Sequence, residues 1–206
     1  DWPNIGPDQF IPVAEECGLL PALGKWVLLN ACRQAVKWLK DSAITFDLPV
    51  SINLSPKQLI HSDFVDVLID VLHETQIPPE NLVLELTETA VMQDPETAIT
   101  TLGEISKAGI KLAVDDFGTG YSSLNYLKQL PINKLKIDRS FVNDIGVDQN
   151  GEAIVKAILA LAHSLNLEVV AEGVEKQFQV DFLRGHECEV LQGYFFSRPL
   201  PVDAIA

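Results

Sequence analysis

Six short apolar segments recur along the chain, near 49–54, 82–87, 111–116, 134–138, 168–172 and 189–192, and helical periodicity fills the intervals between them. The intervening helices are expected at about 57–75, 95–108, 122–129, 151–165 and 175–185, after two leading helices. Of these, one is capped by Asp8 and runs to about Glu16, and the other runs from Leu23 to Lys40 with Val27, Leu28, Ala31, Ala35 and Trp38 along its apolar stripe. Strands alternating with helices require right-handed crossovers and a mainly parallel sheet. Two architectures fit, an open doubly wound sheet and a (β/α)₈ barrel. The first normally carries a glycine-rich phosphate turn after its first strand, which this sequence lacks.

The polar residues favour the barrel. The strand candidates finish on Asn53, Glu85, Asp115 with Asp116, Lys136 with Asp138, Glu172 and Gln192. Each is costly to bury unless paired or coordinated. A parallel barrel opens all its C-terminal strand ends on one face, where they would share one cavity. Singly, each has an ordinary explanation: a half-exposed strand position for Glu85, a solvated turn for Asp115-Asp116, a snorkelling cation for Lys136, a loop cap for Glu172, backbone satisfaction for Gln192. Six successive strands ending this way make the shared cavity the better account.

Unit charges 4 Å apart repel by about 4 kcal/mol at an effective dielectric of 20, so Glu85, Asp115, Asp116 and Glu172 cannot cluster as bare anions. Divalent cations resolve the conflict. Carboxylates plus the Asn53 carbonyl are an oxygen-only donor set suited to Mg²⁺, Mn²⁺ or Ca²⁺, and no His or Cys at a strand end favours zinc. Two cations bridged by Asp115 would activate water and clamp a phosphate, with Lys136 orienting the nucleophile or neutralising charge on phosphorus.

Composition narrows the partners. With 15 Lys and Arg against 29 Asp and Glu, the net charge of -14 has the wrong sign for gripping long nucleic acid. No apolar run reaches the ~20 residues of a bilayer span and the start has no signal-peptide pattern, so a cytoplasmic domain without membrane contact is expected. Cys17, Cys32 and Cys188 lack metal-type spacing and are expected to be buried structural thiols, and His186-Glu187-Cys188 reads as a loop-to-strand junction. The 206 residues are read as a single domain, 1–206.

The sequence resembles the EAL family of cyclic di-GMP phosphodiesterases, (β/α)₈-barrel domains of bacterial signalling proteins. The resemblance rests on FIPVAEECG at 10–18, WVLLNACRQ at 26–34, VSINLS at 50–55, ELTE at 85–88, DDFGTGYSSL at 115–124, LKIDRSF at 135–141, VAEGVE at 170–175 and QGYFFSRPL at 192–200. It implies a (β/α)₈ TIM-type barrel that hydrolyses cyclic di-GMP to linear pGpG with Mg²⁺ or Mn²⁺; Ca²⁺, with its looser coordination geometry, is expected to bind without supporting turnover. The resemblance further implies that Asn53, Glu85, Asp115, Asp116 and Glu172 are metal ligands or line the two-metal site, that Lys136 positions the attacking water with Asp116 and Glu172 beside it, and that Gln192, Asp138 and Glu175 support the site. Glu88 would anchor the loop over roughly 117–124. A homodimer, with sensory or cyclase domains flanking this one, is the expected assembly.

The Glu-Ala-Leu tripeptide that names the family does not occur in these residues, and Lys176 stands where the family usually has Thr. Six strand candidates are also two fewer than a closed barrel needs. Both observations give the expectation of an N-terminally truncated barrel, with about six of eight strands present and catalysis impaired. The alternative function is a catalytically degenerate module that senses cyclic di-GMP without hydrolysing it, and a metal-dependent barrel acting on another phosphodiester is the third reading.

Overall fold

The computed structural model describes residues 5–40, 49–61, 63–120 and 124–205. The motif residues Tyr121, Ser122 and Ser123 fall outside that set. Helices α1 (Pro7–Glu16) and α2 (Leu20–Lys40) precede β1 (Val50–Asn53), α3 (Pro56–Leu59), α4 (Phe64–Thr75), β2 (Leu82–Thr87), α5 (Glu88–Gln93) and α6 (Pro95–Lys107). Then come β3 (Lys111–Phe117), α7 (Leu124–Leu127), β4 (Lys134–Ile137), α8 (Arg139–Asp144), α9 (Gln149–Ser164), β5 (Glu168–Ala171), α10 (Gln177–Gly185) and β6 (Val190–Leu191).

The strands pair in the order β1-β2-β3-β4-β5-β6, every pair parallel. A doubly wound sheet reverses its strand order at a switch point. Strictly sequential order belongs to barrel winding, and the described strands form a curled six-stranded half-barrel with β1 and β6 as its edges.

Period-2 alternation sorts each strand into two faces. Leu82, Leu84 and Leu86 of β2, Leu112 and Val114 of β3, Leu135 and Ile137 of β4, and Val169 and Ala171 of β5 join one apolar core with the helices. That core includes Leu68 and Val71 of α4, Leu102 and Ile105 of α6, and Val155, Leu159 and Ala162 of α9. Intervening residues face the other way, toward the concave side. Val83, Ala113 and Val170 are buried there outside the helix-facing core. On that face Lys134 meets Glu168 at 2.5 Å near the strand beginnings, and Lys136, one full pleat further on, reaches the strand ends.

Several boundaries depart from the sequence expectation. Gly6 caps α1, and Asp8 lies inside its first turn. The helix expected over 57–75 is two: Ser55 and Gln58 form a capping box that starts α3, the turn closes at Ile60, and α4 starts afresh after Asp63. Two six-residue helices also appear at strand ends. The Thr87 hydroxyl accepts from Ala90 N to cap α5, and the Asp138 carboxylate accepts from Ser140 N to cap α8. Cys32 and Cys188 are buried, and burial pushes each thiol up to about 11. Cys17, in contrast, is exposed.

Candidate metal centre

The site is built where five strands, β1 to β5, end. Asn53 and Glu85 are register partners across β1 and β2, and Thr87 is the partner of Asp115 across β2 and β3. Side chains at paired positions of parallel strands share a face, so this register aims Asn53, Glu85 and Asp115 at the concave side. Regular alternation would send Asp116 to the opposite face. It does not, because β3 carries a bulge: Val114 pairs with Leu135 and Phe117 with Ile137, so three steps along β3 match two along β4. The extra residue bends the strand and lets two successive side chains serve one cavity. Asp116 absorbs the distortion with φ +53°, in the left-handed region that Asp tolerates better than most residues. The Asp115 carboxylate reinforces the turn by accepting from Asp116 N at 3.0 Å.

Lys136 stands at the centre. Its Nζ lies 2.6 Å from Glu85 Oε2, 2.7 Å from Glu172 Oε1 and 3.1 Å from Asp115 Oδ1. The Lys136 side chain is 5% exposed, so these carboxylates replace the water shell of its ammonium. Burial alone would push its pKa down. The hydrogen bonds to Glu172 and Glu85, with the charges of Glu85 and Asp115, overcome that and hold it above its ordinary value. Burial raises the Glu172 carboxyl, against the pull of Lys136. The same holds for Asp116, lifted first by burial and then by the negative charges of Asp115 and Asp138. Asp138 is lowered despite its burial, since Ser140 and the backbone of the α8 N-terminus donate to it.

One oxygen from each of Asp115, Asp116 and Glu172 lies within 4.8 Å of the other two. That spacing suits joint ligation of one ion, and an all-carboxylate donor set suits a hard divalent cation. With Glu85 the centre holds four carboxylates against one ammonium, a formal surplus of three negative charges. The residues therefore fit the cations that their chemistry calls for.

The other expected site residues lie around this cluster. Asn53 and Gln192 are exposed at the ends of β1 and β6. The Gln192 backbone bridges the strand ends, donating to Ala171 O and accepting from Val174 N. The next residue must be glycine, since a Cβ on Gly193 would lie 2.1 Å from Val174 O and 2.3 Å from Val174 N. Glu175 is exposed, and its backbone N–H donates to Gln179 Oε1 at the start of α10. Glu88 is 2% exposed at the start of α5, where its Oε2 accepts from Gly118 N at 2.8 Å. Its Oε1 is buried without a hydrogen-bond partner among the described residues. Gly120 passes so close that a Cβ there would sit 2.9 Å from that oxygen. Sequence reasoning did not single out the Lys134–Glu168 pair beneath the cluster, although Lys134 and Lys136, two residues apart on one strand, had to share a face.

A family model described as the EAL domain matches residues 1–199. The bifunctional diguanylate cyclase/cyclic di-GMP phosphodiesterase MucR of Pseudomonas aeruginosa is 44% identical over 201 residues, covering 98% of this chain and 29% of MucR. The cyclic di-GMP phosphodiesterase NbdA of the same organism is 43% identical over 203 residues, covering 98% of this chain and 25% of NbdA. A solved structure of the MucR phosphodiesterase in complex with c-di-GMP superposes with a TM-score of 0.93 at 43% identity, over 100% of this chain and 83% of that one. The chain thus spans between a quarter and a third of these two curated relatives.

Proposed function

The chain belongs to the EAL domain family, and from that premise we propose that it hydrolyses cyclic di-GMP to linear pGpG at a two-cation centre held by Glu85, Asp115, Asp116 and Glu172, with Asn53 completing the ligand set. The observation that carries this reading is the β3 bulge, which brings two successive aspartates into one oxygen cluster beside Lys136 and Glu172. Mg²⁺ or Mn²⁺ would supply Lewis acidity to the water and to the phosphate oxygens. Asp115, central to the cluster, would help hold both cations. Lys136 orients the attacking water. Asp116 and Glu172 are the proton acceptors next to it. Water oxygen bonds to phosphorus, the bond from phosphorus to the 3′ oxygen breaks, and that oxygen takes up a proton.

Around the reacting atoms, Asp138 steadies Asp116 from the α8 cap, while Gln192 and Glu175 line the rim. Glu88 holds the turn after Phe117 through Gly118. In this reading Ca²⁺ binds without supporting turnover, because its looser coordination holds the water less well. Residues 1–206 act as one domain of a larger signalling protein, joined to sensory or cyclase domains and paired as a homodimer in the cytoplasm. Among the described residues no helix is long and apolar enough to cross a membrane. The half-barrel taken alone is impaired, since the family's Glu-Ala-Leu segment is not among its residues.

The deciding experiment incubates the full-length protein with cyclic di-GMP and Mn²⁺ or Mg²⁺ and separates the nucleotides by chromatography. Production of pGpG that stops on chelation, and is lost in Asp115→Asn, supports the reading. Tight binding without pGpG would instead make the domain a sensor. Cleavage of other linear dinucleotides in preference to cyclic di-GMP would reassign the substrate.

A further inference from the structure

Lys136 does more at this centre than a nucleophile-positioning lysine needs to do. Its ammonium takes one oxygen from each of Glu85, Asp115 and Glu172 at 2.6, 3.1 and 2.7 Å. Two of those residues, Asp115 and Glu172, also belong to the trio whose oxygens lie close enough to share a cation. Asp115 Oδ1 is engaged twice, by Lys136 Nζ and by Asp116 N. The ammonium and a divalent cation therefore draw on the same small set of carboxylates, in a place where only 5% of the lysine side chain meets solvent.

We propose that Lys136 is the built-in counter-ion of the cluster and competes with the divalent cation for its carboxylates, so that this one side chain sets how weakly the centre holds metal. The inference rests on the metal-centre reading above. Buried carboxylates left without a cation repel one another strongly, and Lys136 lets them stay packed together in a folded domain. Any cation that loads the centre must share Asp115 and Glu172 with the ammonium or displace it. A lysine so displaced is free to turn toward water and phosphate, which ties its two roles to one event. Lys134 provides the internal control. It sits two residues earlier on β4 and presents the same charge to the same concave face, but its partner is Glu168 rather than the cluster.

The test is direct Mn²⁺ binding to the full-length protein, by calorimetry and by the Mn²⁺ dependence of its melting temperature, for the wild type, Lys136→Met, Lys136→Gln and Lys134→Met. Both Lys136 variants should bind Mn²⁺ at least about tenfold more tightly than the wild type, about 1.4 kcal/mol, while melting lower than the wild type in chelator. Lys134→Met should leave Mn²⁺ affinity within about threefold of wild type. If a Lys136 variant is unfolded in chelator, refolding at Mn²⁺ concentrations too low to stabilise the wild type supports the proposal equally. Wild-type binding with unchanged or weaker binding in both Lys136 variants overturns the counter-ion role and leaves the metal centre standing. Equal tightening in Lys134→Met overturns it as well, reducing the effect to general charge. No Mn²⁺ binding in any of the four proteins overturns the metal centre itself.

Discussion

At the scale of single residues, the centre separates into groups that act on the cluster and groups that hold it. Asp115 contacts Lys136 and lies in the metal-sized trio, so Asp115→Asn should abolish the rise in melting temperature that Mn²⁺ gives the wild type, a rise that follows from mass action on the folded state. An equal rise in the variant would remove Asp115 from the centre. Glu88 works at a distance, through Gly118 N. Glu88→Ala should lower turnover while leaving Mn²⁺ affinity within about threefold, since the lost interaction is a single charge-assisted hydrogen bond. Faster amide exchange at Gly118 in the variant would locate the effect in the turn. The cysteines give a test of packing. With Cys32 and Cys188 buried and their thiols up to about 11, alkylation of the native protein at pH 8 should modify Cys17 alone. Peptide mapping before and after denaturation reads this out, and rapid labelling of Cys32 in the native state would contradict the packing of α2 on α4.

At the scale of elements, the β3 bulge and the Val174–Gly193 contact do most to shape the site. The bulge makes Asp116 adopt φ +53°, a conformation glycine takes without strain. Asp116→Gly should therefore keep or slightly raise the melting temperature in chelator while losing turnover by about 10²-fold or more, the scale of removing a key electrostatic group. A large loss of stability would mean that the carboxylate holds the bulge in place. At the other end of the site, β6 is only two residues long, and its link to β5 continues through Gln192, with Gly193 packed against the Val174 backbone. Gly193→Ala would press a methyl group into the Val174 backbone, which has no flexible side chain to move aside. The expected cost is about 2–3 kcal/mol, or roughly 5–10 °C in melting temperature for a domain of this size. Calorimetry checks it directly. The short helices α5 and α8 belong to this scale too: each begins at a strand end with a cap from Thr87 or Asp138, so the loops that carry the site are fastened as soon as they leave the sheet.

At the scale of the whole molecule, six strands among the described residues curl with β1 and β6 as the sheet edges, and large apolar side chains flank both. Phe10 and Trp26 line an open cavity of about 470 Å³ beside Asn53, and Trp26 is 62% exposed. On the β6 side Tyr194, Phe196 and Leu200 are each more than half exposed. Edges with no strand partner among the described residues, bordered by apolar surface, invite association. Residues 1–206 expressed alone should thus self-associate. Sedimentation of the 206-residue protein tests this, and a monomer would refute it.

The strand–helix alternation, the sheet's parallel sense and the identity of the charged residues near the strand ends are legible along the chain, because a side-chain period of two and a helical period of 3.6 are local properties written in apolar spacing. The sequence also carried the family, through motifs that are contiguous in the chain. Tertiary structure alone decided the register that set Asn53 opposite Glu85 and Thr87 opposite Asp115, and the bulge that turned Asp116 inward. It alone made Lys136 the hub of Glu85, Asp115 and Glu172, residues separated by dozens of positions, and left Asn53, Glu175 and Gln192 at the rim. The physical reason is that strand pairing and burial join residues remote in the chain: a carboxylate's neighbours, and with them its charge state and its appetite for a cation, are set by which strand lies beside it and how far water is excluded.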